Sequence, residues 1–267
     1  MLIKLHWGNI TMKDWDSLQY LKYKKERTQP AVDLVNRISL ANPTKIIDIG
    51  CGPGNSTAVL AKKYTNAYIL GVDCSQDMIE TAKKEYPNLN FMMFNAETDF
   101  SNLSERFDIV FSSACIQWIP NHKSLLNQMM QVLTDGGIMA IQIPINYHEP
   151  MHKIIKEIVR SKKWSSYFSN ARCFYTLTSN EYFDILSSIS SDFTIWETTY
   201  YHRMKSYSSI MEWYRGTGLR PYLSVLNKEE QHAFEKDILC ALSKVYPVQS
   251  NGEIIFRFPR LFLIANK

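Results

Sequence analysis

Short apolar runs alternate with amphipathic segments along the first 145 residues of the chain. Ile46, Ile47 and Ile49 form a β-branched run that ends at Gly50, a pattern typical of a strand buried on both faces. Residues 56–63 then carry a helical pattern. Further strands are predicted at 68–73, 90–96, 107–114 and 138–143, with a helix at 125–133. This alternation predicts an α/β fold with a doubly wound, mostly parallel sheet.

The second half of the chain predicts elements that complete this sheet or cover it. Strands are expected at 194–202 and 253–265, helices at 150–160, 209–216 and 228–246, and a loop at 161–180. Pro259 interrupts the last strand, so we expect an edge position or a bulge there.

Aromatic and basic residues crowd the segment before the first strand, including Trp15, Tyr20, Tyr23 and Arg27. Two interpretations stay open for it: a helix packed on the sheet, or a lid over a site. Pro30 is expected to open a helix that runs to residue 38. We predict a single domain over 1–267. Its core spans about 30–145, completed by 190–203 and 253–267, and its lid and substrate elements are 14–28, 146–189 and 205–247.

The composition is that of an ordinary soluble globular protein. Of 267 residues, 45% are hydrophobic and 21% charged, and the formal net charge is +4. The short basic run at 22–27 is more typical of a solvated helix face than of a nucleic-acid site. We therefore expect a small-molecule partner and no nucleic acid.

The cysteines and the apolar runs bear on the cellular compartment. Five cysteines are widely spaced without a C-x-x-C pair, which favours a reducing cytoplasm. The N-terminus lacks the apolar core of a signal peptide, and no run approaches the roughly 20 apolar residues of a membrane helix. We expect a cytoplasmic protein without a membrane partner.

The glycine turn after the first strand predicts a nucleotide site. Gly50, Gly52 and Gly54 leave the backbone open to close approach by a ligand. A dinucleotide fingerprint would place its third glycine at position 55, where this chain has Asn55. A NAD site is therefore disfavoured.

Polar residues follow the other predicted strands. Asp73 ends the second strand, where its carboxylate would accept hydrogen bonds from ribose hydroxyls, although a helix-capping role is compatible and Ser75 is the better cap. Asn95 and Met78 are placed for an adenine. Because ligands bind at the carboxyl ends of parallel strands, these residues should converge with 112–118 on one crevice.

One zinc-like pattern needs weighing. His148-Glu149-Pro150-Met151-His152 matches H-E-x-x-H, whose histidines bind zinc from one helical face. Pro150 in mid-helix would cost about 3 kcal/mol, whereas a proline in the first turn is tolerated. We expect a helix that starts at Pro150, and no metal.

The glycine turn, Asp48-Ile-Gly-Cys-Gly-Pro-Gly-Asn55, resembles motif I of the S-adenosylmethionine methyltransferases. From Asp14 onward the chain resembles the trans-aconitate 2-methyltransferase family. The matching stretches are 20–30, 48–57, 116–122, 198–202, 217–221 and 258–262. The resemblance implies a class I methyltransferase fold with a helical lid, and transfer of a methyl group from S-adenosylmethionine to a carboxylate of a small polycarboxylic acid.

The resemblance also implies two sets of site residues. The cofactor set is Trp15, Tyr20, Arg27, Gly50, Cys51, Gly52, Asn55, Ser56, Asp73, Cys74, Met78, Asn95, Ala96, Ser112, Gln117 and Trp118. The substrate set is Tyr23, Trp118, Tyr200, Tyr201, His202, Arg220 and Arg260.

The chain departs from the family pattern at three positions. Asn95 stands in place of a usual Asp, Ile145 in place of a usual Asp, and Glu197 in place of a usual Arg. The last two lie on the expected substrate side, so they bear on the substrate more than on the reaction.

A carboxylate is already ionised at neutral pH, so we expect no catalytic base. Arginine suits capture of the remaining carboxylates because its planar fork binds them bidentately. Two alternatives stay open: a methyltransferase for another acid, such as malonyl-acyl carrier protein, and a non-catalytic S-adenosylmethionine-binding or interaction protein. The sequence does not define the oligomeric state.

Overall fold

A seven-stranded sheet forms the centre of the computed structural model, which describes residues 23–168 and 174–267. Its strands are β1 (Lys45–Ile49), β2 (Tyr68–Asp73), β3 (Asn90–Met93), β4 (Phe107–Ser113), β5 (Leu133–Pro144), β6 (Phe193–Met204) and β7 (Ile254–Asn266). Their order is β3-β2-β1-β4-β5-β7-β6. The first five strands pair in parallel, and β7 runs antiparallel to β5 and β6. The predicted mostly parallel α/β sheet is confirmed.

Helices cover both faces of the sheet. They are α1 (Lys24–Arg37), α2 (Asn55–Lys63), α3 (Gln76–Glu85), α4 (His122–Gln131), α5 (Pro150–Arg160), α6 (Ser179–Ile189), α7 (Tyr207–Arg215), α8 (Arg220–Leu223) and α9 (Lys228–Val245). No helix in these ranges is long and apolar enough to span a bilayer.

Alternate residues of the central strands feed two cores. In β1, Ile46 packs with Leu34 of α1 and Leu60 of α2, whereas Ile47 packs with Leu126 of α4 on the other face. Both faces of β1 are therefore buried, as its β-branched run predicts.

A third core joins the C-terminal helices to the end of β7. Phe256 and Phe258 of β7 pack with Trp213 of α7 and Phe234 of α9, and α5 belongs to the same cluster. This helical layer lies beside the carboxyl end of β5, where it encloses the second of the two cavities described below.

The expectation for Pro259 is wrong. β7 is an interior strand, and its register with β6 runs through the Thr199–Pro259 pair without a shift. The Pro259 carbonyl accepts from the Ile145 N–H at 3.1 Å, which shows that Pro259 faces the β5 side at the point where β5 ends. Its missing N–H therefore falls beyond the paired part of β5 and removes no ladder bond there.

Two helix boundaries also differ from the prediction. α1 begins at Lys24 and carries Pro30 inside it, because the turn before the proline is already closed by the Arg27 N–H donating to the Tyr23 carbonyl at 2.9 Å. Within the predicted loop 161–180, α6 starts at Ser179. Thr178 and Glu181 form a reciprocal capping box there, a T-x-x-E pattern that is visible in the sequence.

β5 starts five residues earlier than expected. Leu133 pairs with Phe107, and the register then shifts before Ile138 pairs with Ile109. The Asp135-Gly-Gly137 stretch therefore lies in an irregular part of the strand, where Gly136 has a φ of 75°.

Candidate active site

The glycine turn between β1 and α2 is built from left-handed backbone. Gly50, Gly52 and Gly54 have φ values of 74°, 53° and 88°. A Cβ at Gly50 would collide with the Cys115 side chain, whereas a Cβ at Gly52 would meet no atom within 4 Å. Gly50 thus lets the turn pack against the loop after β4, and Gly52 leaves the backbone open toward a cavity.

That cavity, here called the strand-end cleft, lies at the carboxyl ends of β1, β2, β3 and β4 and encloses about 1130 Å³. It is lined by twelve of the sixteen residues predicted for the cofactor: Arg27, Gly50, Cys51, Gly52, Asn55, Ser56, Asp73, Cys74, Met78, Asn95, Ala96 and Trp118. The four strand ends therefore converge as parallel topology predicts.

Asp73 ties β2 to the glycine turn. Its Oδ2 accepts from the Gly52 N–H at 3.0 Å, and its Oδ1 accepts from the Ser75 N–H at 2.9 Å. Ser75, not Asp73, caps α3, since its hydroxyl accepts from the Met78 N–H. Burial raises the pKa of Asp73, and these N–H donors oppose that rise. Each carboxylate oxygen keeps acceptor capacity for a ligand in the cleft.

Four predicted cofactor residues do not line the strand-end cleft. Trp15 and Tyr20 fall outside the described residues. Ser112 is fully buried and donates from its hydroxyl to the Ile49 carbonyl at 2.9 Å, so that Ser113 lines the cleft in its place. Gln117 lines a second cavity.

This second cavity, here called the arginine cavity, encloses about 620 Å³ beside the strand-end cleft. Arg27, Ala114 and Trp118 line both spaces, so the two cavities meet at these residues. The other lining residues are Gln117, Pro144, Asn146, His152, Phe174, Trp213, Tyr214, Thr217, Gly218, Phe258 and Arg260.

Two buried arginines stand on one aromatic surface of this cavity. The Arg27 guanidinium lies 4.7 Å from the Trp213 ring centroid, and its Nη2 donates to the Trp213 carbonyl at 2.9 Å. The Arg260 guanidinium lies 4.8 Å from the Phe258 ring, and its Nη1 donates to Gln142 Oε1 at 3.0 Å. The rings of Trp213 and Phe258 are 5.5 Å apart. These contacts fix both cations before any ligand binds.

His202 lies behind this aromatic surface. Its ring is 4.7 Å from Trp213 and 5.9 Å from Phe258. Burial, and then the charges of Arg260 and Arg27, lower the pKa of His202 to about 4. The imidazole is therefore neutral near pH 7 and adds no charge to the cavity.

Of the predicted substrate residues, Trp118 and Arg260 line the arginine cavity and the others do not. The Tyr23 hydroxyl donates to the Ser209 carbonyl, and the Tyr200 hydroxyl donates to Asp33. Tyr201 is 65% exposed, because adjacent residues of β6 point to opposite faces. His202 supports the wall from behind, and Arg220 begins the short helix α8 outside the lining.

Several lining residues were not predicted from the sequence. Asn146, His152 and Tyr214 come from segments expected to be lid or loop, with Asn146 donating to the Tyr214 hydroxyl at 3.2 Å. Thr217 lies in a stretch that matches the family, which was a usable indication. Asn146 carried none.

The H-E-x-x-H stretch divides between different surroundings. Pro150 is the first residue of α5, as predicted. Glu149 accepts from Arg257 at 3.0 Å, His148 is exposed, and His152 faces the arginine cavity. Within 23–168 and 174–267, no group of three or more His, Cys, Asp or Glu is arranged to hold a metal ion.

Comparison with known proteins agrees with this geometry. A family model described as a methyltransferase domain matches residues 40–207. The trans-aconitate 2-methyltransferase of Methylobacterium nodulans is 39% identical, covering 96% of this chain and 99% of that protein. The protein of the same name from Escherichia coli is 38% identical, with the same coverage of both chains.

Solved structures share the fold at low sequence identity. The YcgJ protein of Bacillus subtilis has a TM-score of 0.60 at 15% identity, covering 90% of this chain and 98% of that chain. Phosphoethanolamine N-methyltransferase 2 of Haemonchus contortus, solved with S-adenosyl-L-methionine, has a TM-score of 0.55 at 16% identity, covering 97% and 60%.

The sheet order and the strand-end cleft define a class I S-adenosylmethionine-dependent methyltransferase, with the Rossmann-like fold of that class. Its cofactor is S-adenosylmethionine. Within this class, the chain belongs to the trans-aconitate 2-methyltransferase family.

The residues of the strand-end cleft fit this cofactor. The open backbone at Gly52 offers the close approach that the methionine part needs, and the Asp73 carboxylate in the wall provides acceptors for ribose hydroxyls. Met78 and Phe94 give an apolar surface suited to an adenine. The roles of these individual residues stay predictions.

Proposed function

We propose that this enzyme methylates a carboxylate of trans-aconitate to give a monomethyl ester and S-adenosylhomocysteine. The observation that carries the proposal is the pair of buried arginines in a cavity that opens directly onto the cofactor cleft. Relatives that share 38–39% identity over nearly the whole chain bear the name of this activity.

The charge of the cavity favours an acid with several carboxylates. Arg27 and Arg260 are 9% and 4% exposed and are held on the rings of Trp213 and Phe258. A fixed guanidinium binds a carboxylate with little loss of side-chain freedom, because its orientation is already set. We therefore place one carboxylate of the substrate at this pair.

The reacting carboxylate belongs where the two cavities meet, at Arg27, Ala114 and Trp118. The bound cofactor supplies an electrophilic methyl group on a sulfonium. A carboxylate oxygen forms the new O–C bond as the S–C bond breaks, and the sulfur keeps that electron pair. No proton moves, so the chain supplies no base. Its residues hold the oxygen in line and exclude water, contributions that reach roughly 7 to 11 kcal/mol in ideal cases.

The roles of the individual site residues belong to this proposal. Arg260 and Trp118 are retained from the sequence-based substrate set, and Arg27 joins them from the cofactor set because it borders both cavities. We also propose a cytoplasmic location, since the four cysteines in the described residues, Cys51, Cys74, Cys115 and Cys240, are all free thiols.

Product analysis tests this function. The purified enzyme is incubated with S-adenosylmethionine and trans-aconitate, citrate, malonyl-acyl carrier protein or a monocarboxylate, and products are identified by mass spectrometry. A monomethyl ester formed fastest from trans-aconitate is the expected result. Preferential methylation of malonyl-acyl carrier protein would assign a different substrate, and cofactor binding without any product would indicate a non-catalytic protein.

A further inference from the structure

His152 is the histidine of α5 that lines the arginine cavity. Its ring makes edge contacts with two aromatic neighbours, at 5.5 Å and 78° to Phe174 and at 5.4 Å and 70° to Tyr214. Contacts of this kind hold a ring in one orientation. The imidazole is therefore a fixed part of the cavity wall.

The electrostatics of two histidines separate His152 from the arginines. Burial alone lowers the pKa of His152 to about 4, whereas the charges of Arg260 and Arg27 add to burial at His202. A nearby cation lowers a histidine pKa, so His152 lies farther from both arginines than His202 does. The cavity thus has an arginine end and a His152 end.

The His152 ring offers a hydrogen bond to a ligand. Among residues 23–168 and 174–267, no group hydrogen-bonds to this ring, and neither ring nitrogen is a buried orphan. A neutral imidazole carries one N–H donor and one acceptor nitrogen. Near neutral pH the His152 end therefore presents a polar group without adding a third positive charge.

We propose that His152 is a specificity-determining residue whose ring N–H donates to a second unreactive carboxylate, so that the cavity selects acids with three carboxylates over those with two. This rests on the proposed function. One carboxylate lies at the arginine pair, one at His152, and the third reacts where the cavities meet. Each of the three positions is on the lining described above.

The test compares discrimination between acids in three variants. His152→Phe removes the donor but keeps an aromatic ring between Phe174 and Tyr214, and His152→Asn keeps a donor. The matched control is His148→Phe, an exposed histidine outside the cavity. Steady-state kinetics are measured for trans-aconitate and for itaconate and glutaconate, dicarboxylates that each lack one of its three carboxylates.

We expect the ratio of kcat/KM for trans-aconitate to that for the better dicarboxylate to fall roughly 10- to 100-fold in His152→Phe, the size of a hydrogen bond to a charged group. His152→Asn should recover part of the ratio, and His148→Phe should keep it. Calorimetric titration of trans-aconitate into enzyme saturated with S-adenosylhomocysteine should show the same loss without turnover.

Two results would overturn the inference: an unchanged ratio in His152→Phe, or equal losses for all the acids, which would indicate a purely structural role. If the wild-type enzyme methylates none of these acids, the proposed function itself fails. That outcome is seen before any variant is made.

Discussion

The strand-end cleft and the arginine cavity are built in different ways. The cleft takes its residues from the turns that directly follow β1, β2, β3 and β4. The arginine cavity joins segments that are distant in the chain. Arg27 of α1 bonds the carbonyl of Trp213, 186 residues later, and Arg260 bonds Gln142, 118 residues earlier.

This difference separates what a short motif determines from what packing determines. The glycine turn takes its shape from positive φ angles that glycine adopts without strain, so three glycines in sequence specify it. The arginines are instead positioned by aromatic rings on α7 and β7. The two regions should therefore respond separately to substitution.

Removing an arginine should have the largest effect, and only on the acid. Arg260→Ala leaves a substrate carboxylate without its cation, so kcat/KM for trans-aconitate should fall by about 2 to 5 kcal/mol. Steady-state kinetics measure this, with Arg203→Ala on the exposed side of β6 as the control. Arg220→Ala should lose less, because Arg220 does not line the cavity. A larger loss in Arg220→Ala would restore the assignment made from the sequence.

The two regions should also differ in how pH affects stability. Burial raises the pKa of Asp48, beneath the glycine turn, from 3.8 to about 6, against hydrogen bonds from Ser56 and Thr57. The folded protein therefore holds this proton more tightly than the unfolded chain. Its contribution of about 3 kcal/mol is present below pH 4 and is lost as the pH rises through 6.

The histidines of the cavity have the opposite sign. The pKa of His152 and that of His202 are lowered to about 4, so their contribution is lost as the pH falls from 6.5 toward 4. Urea unfolding of wild type and Asp48→Asn between pH 4 and 8 isolates the carboxyl. The free energy of unfolding of the variant, relative to wild type, should increase with pH. A constant difference would mean that Asp48 titrates normally.

A smaller effect is expected at the ribose position of the cleft. Asp73→Ala should weaken binding of S-adenosylmethionine by about 1.5 to 3 kcal/mol, because the hydrogen bonds lost are to a charged acceptor. Calorimetry measures it, with exposed Asp77→Ala as the control. Asp73→Asn keeps acceptors for the Gly52 and Ser75 N–H groups and separates ligand contact from turn structure. Wild-type affinity in both Asp73 variants would contradict the ribose role.

The smallest effect should come from Tyr201. This side chain is 65% exposed on the edge strand β6, so Tyr201→Ala should change kcat/KM for trans-aconitate by less than about 0.5 kcal/mol. Kinetics alongside Arg260→Ala provide the comparison. A loss above about 1 kcal/mol would place Tyr201 in the substrate site after all.

The sequence predicted the cleft far better than the cavity. The turn at 50–54, Asp73 and Asn95 follow strands whose apolar runs are visible locally, and parallel topology brings them together. The arginine cavity depends on how α5 and α7 pack against β7, which no local pattern specifies. Tyr201 was assigned from its place in a matched stretch, but only the register of β6 shows which face it occupies.

Pro259 shows the same limit within the sheet. A proline in a strand ordinarily indicates an edge. Here it lies inside the sheet because β5 ends beside it, and that depends on the length of a strand more than 100 residues earlier.

Crossed titration tests most directly whether these are two separable sites. S-adenosylhomocysteine is titrated into wild type, Asp73→Asn and Arg260→Ala, and trans-aconitate is then titrated into each saturated protein. We expect the Asp73 variant to lose affinity for S-adenosylhomocysteine alone and the Arg260 variant to lose affinity for trans-aconitate alone. Equal loss of both ligands in the Arg260 variant would contradict the account, because that arginine would then belong to the cofactor site.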